Sequence, residues 1–169
     1  FGPRLLALIC QLIDYKALLT ILGITIDKRV LLLLGADMSI QNEETIWNLV
    51  DAKKEAFIEL ADRVFDTPET LYKEFRSVKE HVSRLEAEGF KITQNVCGMP
   101  TAVIGEAGDE GPIIAILGEF DALPGLSQEP GVAEHKPIAE GGDGHGCGHN
   151  LLGSAALLAA TAVKDWLAE

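Results

Sequence analysis

"PIIAILGEFDALPG", residues 112–125, begins with apolar residues that do not alternate with polar ones. A strand of that composition is buried on both faces, as when helices cover a sheet. Two carboxylates follow it, Glu119 and Asp121, two positions apart and so able to face one cleft. In open α/β sheets functional groups gather beyond the carboxyl ends of strands, and this stretch therefore predicts both a fold class and a site. A carboxylate placed there has three readings. It can ligate a metal, accept a hydrogen bond from a ligand histidine and fix its tautomer, or form a solvated acidic turn.

The flanking sequence agrees with an α/β layered domain. "FKITQNV" (90–96) and "TAVIGEA" (101–107) are short and β-branched, and "GDEG" (108–111) reads as a tight hairpin turn into residues 112–120. Upstream, Ile46, Val50, Phe57, Ile58, Ala61 and Val64 recur at helical spacing between Asn42 and Phe65. Pro68 ends that helix, because it disfavours helical geometry at Thr67. "SVKEHVSRLEAEGF" (77–90) predicts a second helix with Val78, Val82 and Leu85 inward and Gly89 as its C-cap. Residues 124–148, rich in glycine and punctuated by Pro124, Pro130 and Pro137, form a long irregular loop of the kind that carries function. Leu151 to Leu167 reads as a helix, nearly apolar in its first half and therefore buried.

The loop ends in "GGDGHGCGHN" (141–150), which sets His145, Cys147 and His149 at every second position with a glycine before each. Each glycine costs a helix about 1 kcal/mol against alanine, so an i, i+4 helical pair of histidines is disfavoured. Extended geometry projects 145, 147 and 149 to one side, while glycine lets the backbone press against other structure. Thiolate and imidazole together suit zinc or a similar borderline ion. A closed structural site needs four such ligands and this segment offers at most three, which favours an open, catalytic type of site. Three other readings stay open on spacing alone. One is a glycine-rich turn with a buried cysteine and hydrogen-bonded histidines. Another is a phosphate-cradling loop, although no lysine follows as in a P-loop. The third is a cysteine nucleophile paired with His145 or His149.

Composition narrows the partners. The 169 residues are 47% hydrophobic and carry a formal charge of −12 without a basic cluster, which argues against nucleic acid and against an anionic membrane surface. Three cysteines (Cys10, Cys97 and Cys147) are too few for a disulfide framework and point to a reducing cytoplasm. Residues 1–37 differ from the rest: they hold eleven leucines, no glutamate, and four cations against three aspartates. Their apolar runs fall short of the roughly 18–20 residues of a membrane span, and no signal-peptide cleavage site follows. The expectation is that Met38 is the natural start and that 1–37 is upstream sequence. A hydrophobic N-terminal helix packed on the domain is the alternative.

Taken together, "ILGEFDALPGLSQ" and "GHGCGHNLLGSAALLAA" resemble the zinc-dependent amidohydrolase and carboxypeptidase superfamily that includes aminoacylases and hippurate hydrolases. Within it the resemblance is to the B-subunit branch of the p-aminobenzoyl-glutamate hydrolases, and it runs from about Met38 to Glu169. It implies an α/β fold, the N-terminal portion of a zinc-peptidase-like catalytic domain with a mixed sheet flanked by helices, truncated at residue 169. It implies Cys147 and His149 as metal ligands and Asp121 as the supporting catalytic aspartate. More distant relatives have histidine at the position of Glu119, so the resemblance carries no metal role onto Glu119. Asn150 stands where many relatives have aspartate. The implied cofactor is a divalent metal, zinc first and manganese second. The implied reaction is hydrolysis of p-aminobenzoyl-glutamate or a similar N-acyl amino acid, with a related A-type subunit as hetero-oligomeric partner. The general base and remaining ligands lie downstream in relatives, so the 169 residues alone are expected to be inactive. A dipeptidase, an aminoacylase or hippurate hydrolase, and a non-catalytic remnant or partner protein are the competing readings.

Overall fold

Residues 4–9 and 41–168 are described by the computed structural model. Their elements are β1 (Arg4–Ile9), α1 (Gln41–Phe65), α2 (Phe75–Ala87), β2 (Lys91–Gln94), a single 3-10 turn (Val96–Gly98), β3 (Val103–Ala107), β4 (Ile113–Gly118) and α3 (His149–Leu167). The class is mixed α/β.

The first helix buries Phe57, Leu60, Ala61 and Val64, spaced i, i+3, i+4, i+7. Ile58, expected on that stripe, falls one position off it and is exposed. On α2 the inward face is Ser77, Val78, His81 and Leu85, with Val82 half-buried at its margin. That helix ends as its sequence predicts. Gly89 takes φ +77°, its N–H donates to the carbonyl of Glu86, and the Phe90 N–H donates to that of Leu85, the paired bonds of a Schellman cap. These faces converge with Phe90, Val103, Phe120, Leu157 and Ala160 in one core. α1 packs on α3 and α2, α3 lies on β4 and β1, and α2 lies on β2 and β3.

The sheet runs β2-β3-β1-β4. β2 and β3 are antiparallel, β1 is antiparallel to β3, and β1 is parallel to β4 with Ala7 opposite Ile116. Two expectations are corrected here. The "GDEG" turn does not close a hairpin, because β1 lies between β3 and β4. Residues 108–112 instead step across two strand spacings, about 10 Å, which five residues of up to about 3.5 Å each reach easily. β4 is also not buried on both faces. It is the edge strand of the described sheet, and Ile113 and Ile114 are 46% and 44% exposed. α3 covers only its far end, where Gly118 lies against Ala156 and Gly153.

The reading of 1–37 as upstream sequence lies outside the described residues except at Arg4–Ile9. Residues 124–148 contain no helix or strand, as expected of the loop. No helix among the described residues is long and apolar enough to cross a membrane.

Candidate metal centre

The chain leaving β4 is held from both sides. The Ala122 N–H donates to the Glu69 carbonyl at 2.8 Å, and Thr70 and Ala122 form a parallel bridge. On the other side Leu123 and Gly144 exchange two backbone hydrogen bonds of 2.9 and 3.0 Å. Glycine is obligatory at 144, since a Cβ there would lie 2.1 Å from the Leu126 carbonyl oxygen. This tie brings the glycine-rich loop back to the carboxylates. Glu69 also orders the α1–α2 connection: its carboxylate accepts from the Arg76 and Ser77 N–H groups and the Ser77 hydroxyl.

Residues 145–149 do not run extended. The Gly148 N–H donates to the His145 carbonyl at 2.9 Å, closing a turn around Gly146 and Cys147, and α3 begins at His149. The expected common direction of 145, 147 and 149 is therefore corrected. The His145 ring turns into the core, where Nε2 donates to the Val64 carbonyl at 3.1 Å and the ring approaches Phe65. Burial holds the His145 imidazole below the usual histidine range, against the opposing pull of that hydrogen bond. Cys147 is exposed and free at the turn. His149 faces the carboxylates.

There His149 Nδ1 lies 2.7 Å from Asp121 Oδ1 and 3.6 Å from Glu119 Oε2. One donor atom from each of Glu119, Asp121 and His149 falls within 4.8 Å of the others, close enough to share one ion. Asp121 is 3% exposed, and the imidazole gives its buried carboxylate a hydrogen-bond partner. With Nδ1–H donated to Asp121, the tautomer presents Nε2 as the unprotonated ligand nitrogen, the usual pattern for a metal-binding histidine. An imidazole beside two carboxylates is a donor set that suits zinc and manganese. Asp121 and His149 are thus brought together, and Glu119, onto which the resemblance carries no metal role, stands with them. Cys147 is not among the three.

Two further residues hold the site through contacts that carried no sequence signal. Asn150 is buried, and its Nδ2 donates to the Ala61 carbonyl at 3.2 Å, one turn of α1 before the Val64 carbonyl that receives His145. The pair fastens the start of α3 to α1. His81, isolated in the sequence, is buried on α2 beneath Phe120.

No family model matches the sequence. It is 48% identical over 118 residues to the B-subunit of p-aminobenzoyl-glutamate hydrolase from Escherichia coli (strain K12), a match covering 70% of this chain and 24% of that protein. Thermostable carboxypeptidases 2 and 1 of Saccharolobus solfataricus are each 32% identical over 122 residues, 68% of this chain and 30% of theirs. The chain thus matches between 24% and 30% of the length of these relatives.

Proposed function

Because the chain belongs to the amidohydrolase and carboxypeptidase superfamily of these relatives, we propose that it holds part of a metal-dependent hydrolytic centre. In this reading His149 and Cys147 bind the ion and Asp121 orients His149. The substrate is an amide between an acyl group and an amino acid, p-aminobenzoyl-glutamate first among them. The observation that carries this reading is the 2.7 Å contact of His149 Nδ1 with buried Asp121. A histidine so oriented is prepared for a ligand on its other nitrogen. A bound divalent ion supplies polarisation of the amide carbonyl and a more acidic water. The chain's own share is to fix the imidazole tautomer, to hold two carboxylates at the end of β4, and to present a thiol on a turn that Gly148 closes.

Glu119 lies 3.6 Å from the same nitrogen and supports the site through its charge. The E. coli relative is named as one subunit of its enzyme, and a related second polypeptide is the corresponding partner proposed for this chain. Residues 38–169 are the portion proposed to carry the catalytic-domain fold.

Zinc titration of the full-length protein tests the reading. Stoichiometric binding, at micromolar affinity or tighter, is expected to be lost in His149→Ala and Cys147→Ala and weakened about 10- to 100-fold in Asp121→Asn. Undiminished binding by Cys147→Ala removes that ligand from the site. Assay of the full-length protein against p-aminobenzoyl-glutamate, N-acyl aromatic amino acids and dipeptides, with and without chelator, identifies the substrate.

A further inference from the structure

Phe120 separates the two carboxylates, and its position decides where they point. In an extended segment, side chains alternate, so burying Phe120 turns Glu119 and Asp121 to the opposite side. Phe120 is 4% exposed, and its ring stacks on the His81 imidazole with centroids 4.5 Å apart and planes 26° from parallel. His81 is wholly buried. Its Nδ1 donates to the Ser77 carbonyl at 2.9 Å, one turn earlier on α2, which sets both the tautomer and the plane of the ring. The other nitrogen, Nε2, is buried and has no hydrogen-bond partner among the described residues.

From the third side comes Gly153 of α3. A Cβ at that position would lie 2.7 Å from the Glu119 carbonyl oxygen and 2.8 Å from His81 Nε2. α2, α3 and the end of β4 therefore meet around one imidazole with no room for a methyl group. A leucine at position 81 fills similar volume but has neither a flat face for Phe120 nor an N–H to lock its orientation.

We infer that His81 is a positioning residue for the candidate metal centre: its ring, stacked on Phe120 and wedged against Gly153, sets the direction in which Glu119 and Asp121 leave the strand, and so the reach of Asp121 to His149. This rests on the proposed reading of His149 as an ion ligand that Asp121 orients. Burial supports it by pushing the His81 pKa down to about 4, so the ring stays neutral and its single N–H stays on the Ser77 side.

The test uses the full-length protein, cobalt(II) alone as the probe ion, and His81→Met. Methionine fills irregular space and keeps favourable contact with an aromatic ring, but it provides no plane. Thermal unfolding establishes that the variant is folded. The expected result is a cobalt affinity reduced about tenfold, with altered intensity of the cobalt visible bands. In the metal-free protein, the proton resonance of the His149 Nδ1–H is expected to shift. Phe120→Leu should reproduce these changes, and the double variant should add little to either single one, as for residues acting through each other. Should His81→Met fail to fold, Phe120→Leu carries the same readouts from the other ring. Cobalt affinity within about twofold of the parent together with an unmoved His149 resonance overturns the inference. If the full-length parent protein binds no cobalt, the ion reading falls. The metal-free resonance then decides the positioning role by itself, movement supporting it and constancy refuting it.

Discussion

At the level of single residues, the junction between the glycine-rich loop and α3 is held by neutral donors meeting carbonyls. Asn150 Nδ2 reaches Ala61 and His145 Nε2 reaches Val64, so two successive turns of α1 receive the two residues that flank the turn at Cys147. An amide has an N–H to give at position 150. An ionised carboxylate has none and would face the Ala61 carbonyl with like partial charge. Asn150→Asp is therefore expected to destabilise the chain by about 2 kcal/mol, the cost of a buried polar group without its partner. Chemical denaturation checks the magnitude. The same variant should loosen the start of α3, raising hydrogen exchange at Leu151 and Leu152. A loss below about 0.5 kcal/mol would show that the Asn150 bond does not anchor the helix.

At the level of elements, α2 carries a titration device on its inner face. His81 has a folded-state pKa of about 4 against an ordinary 6.5, because burial penalises the charged ring more than the Ser77 carbonyl favours it. The unfolded chain thus binds a proton that the folded chain refuses. The associated stability is complete above pH 6.5 and is lost as pH falls toward 4, about 3 kcal/mol in all. Burial of His145 acts in the same direction. Unfolding measured across that range should show the decline, and His81→Met should flatten it relative to the parent; parallel curves would contradict the burial of a neutral ring. How much of these elements was legible follows the range of the forces that make them. Periodicity marked α1 and α2, and Gly89 marked the end of α2, because both signals are local. The pairing of Asp121 with His149 was legible as one of three readings, since carboxylates beyond a strand end have few partners. The stack of His81 on Phe120 was not, because a lone histidine on a helix looks the same whether it faces leucine or phenylalanine. The turn that separates His145, Cys147 and His149 was legible only as an alternative to an extended strap, since alternating glycines permit a turn as readily as a strand.

For the molecule as a whole, the connection order of the sheet is the feature that sequence did not reveal. β3 and β4 are joined by five residues and would pair directly if nothing intervened, yet Arg4–Ile9 lies between them and is in register with both. Backbone pairing between distant segments depends on unsatisfied N–H and C=O groups rather than side-chain pattern, so a non-local strand leaves little local trace. In the described structure β1 is the sole link between the β2-β3 pair and β4, the strand that delivers Glu119 and Asp121. Removing residues 1–37 strips one edge from β3 and one from β4 at once. The expected outcome is a lower unfolding temperature and loss of hydrogen-exchange protection at Ala115, Ile116 and Leu117, while α1 and α2, which share their own buried face, retain theirs. Metal affinity should fall in step, because β4 would then lose the strand it pairs with among the described residues. Unchanged protection along β4 in residues 38–169 would mean that β3 and β4 are spanned without β1, and would make residues 38–169 a self-sufficient folding unit.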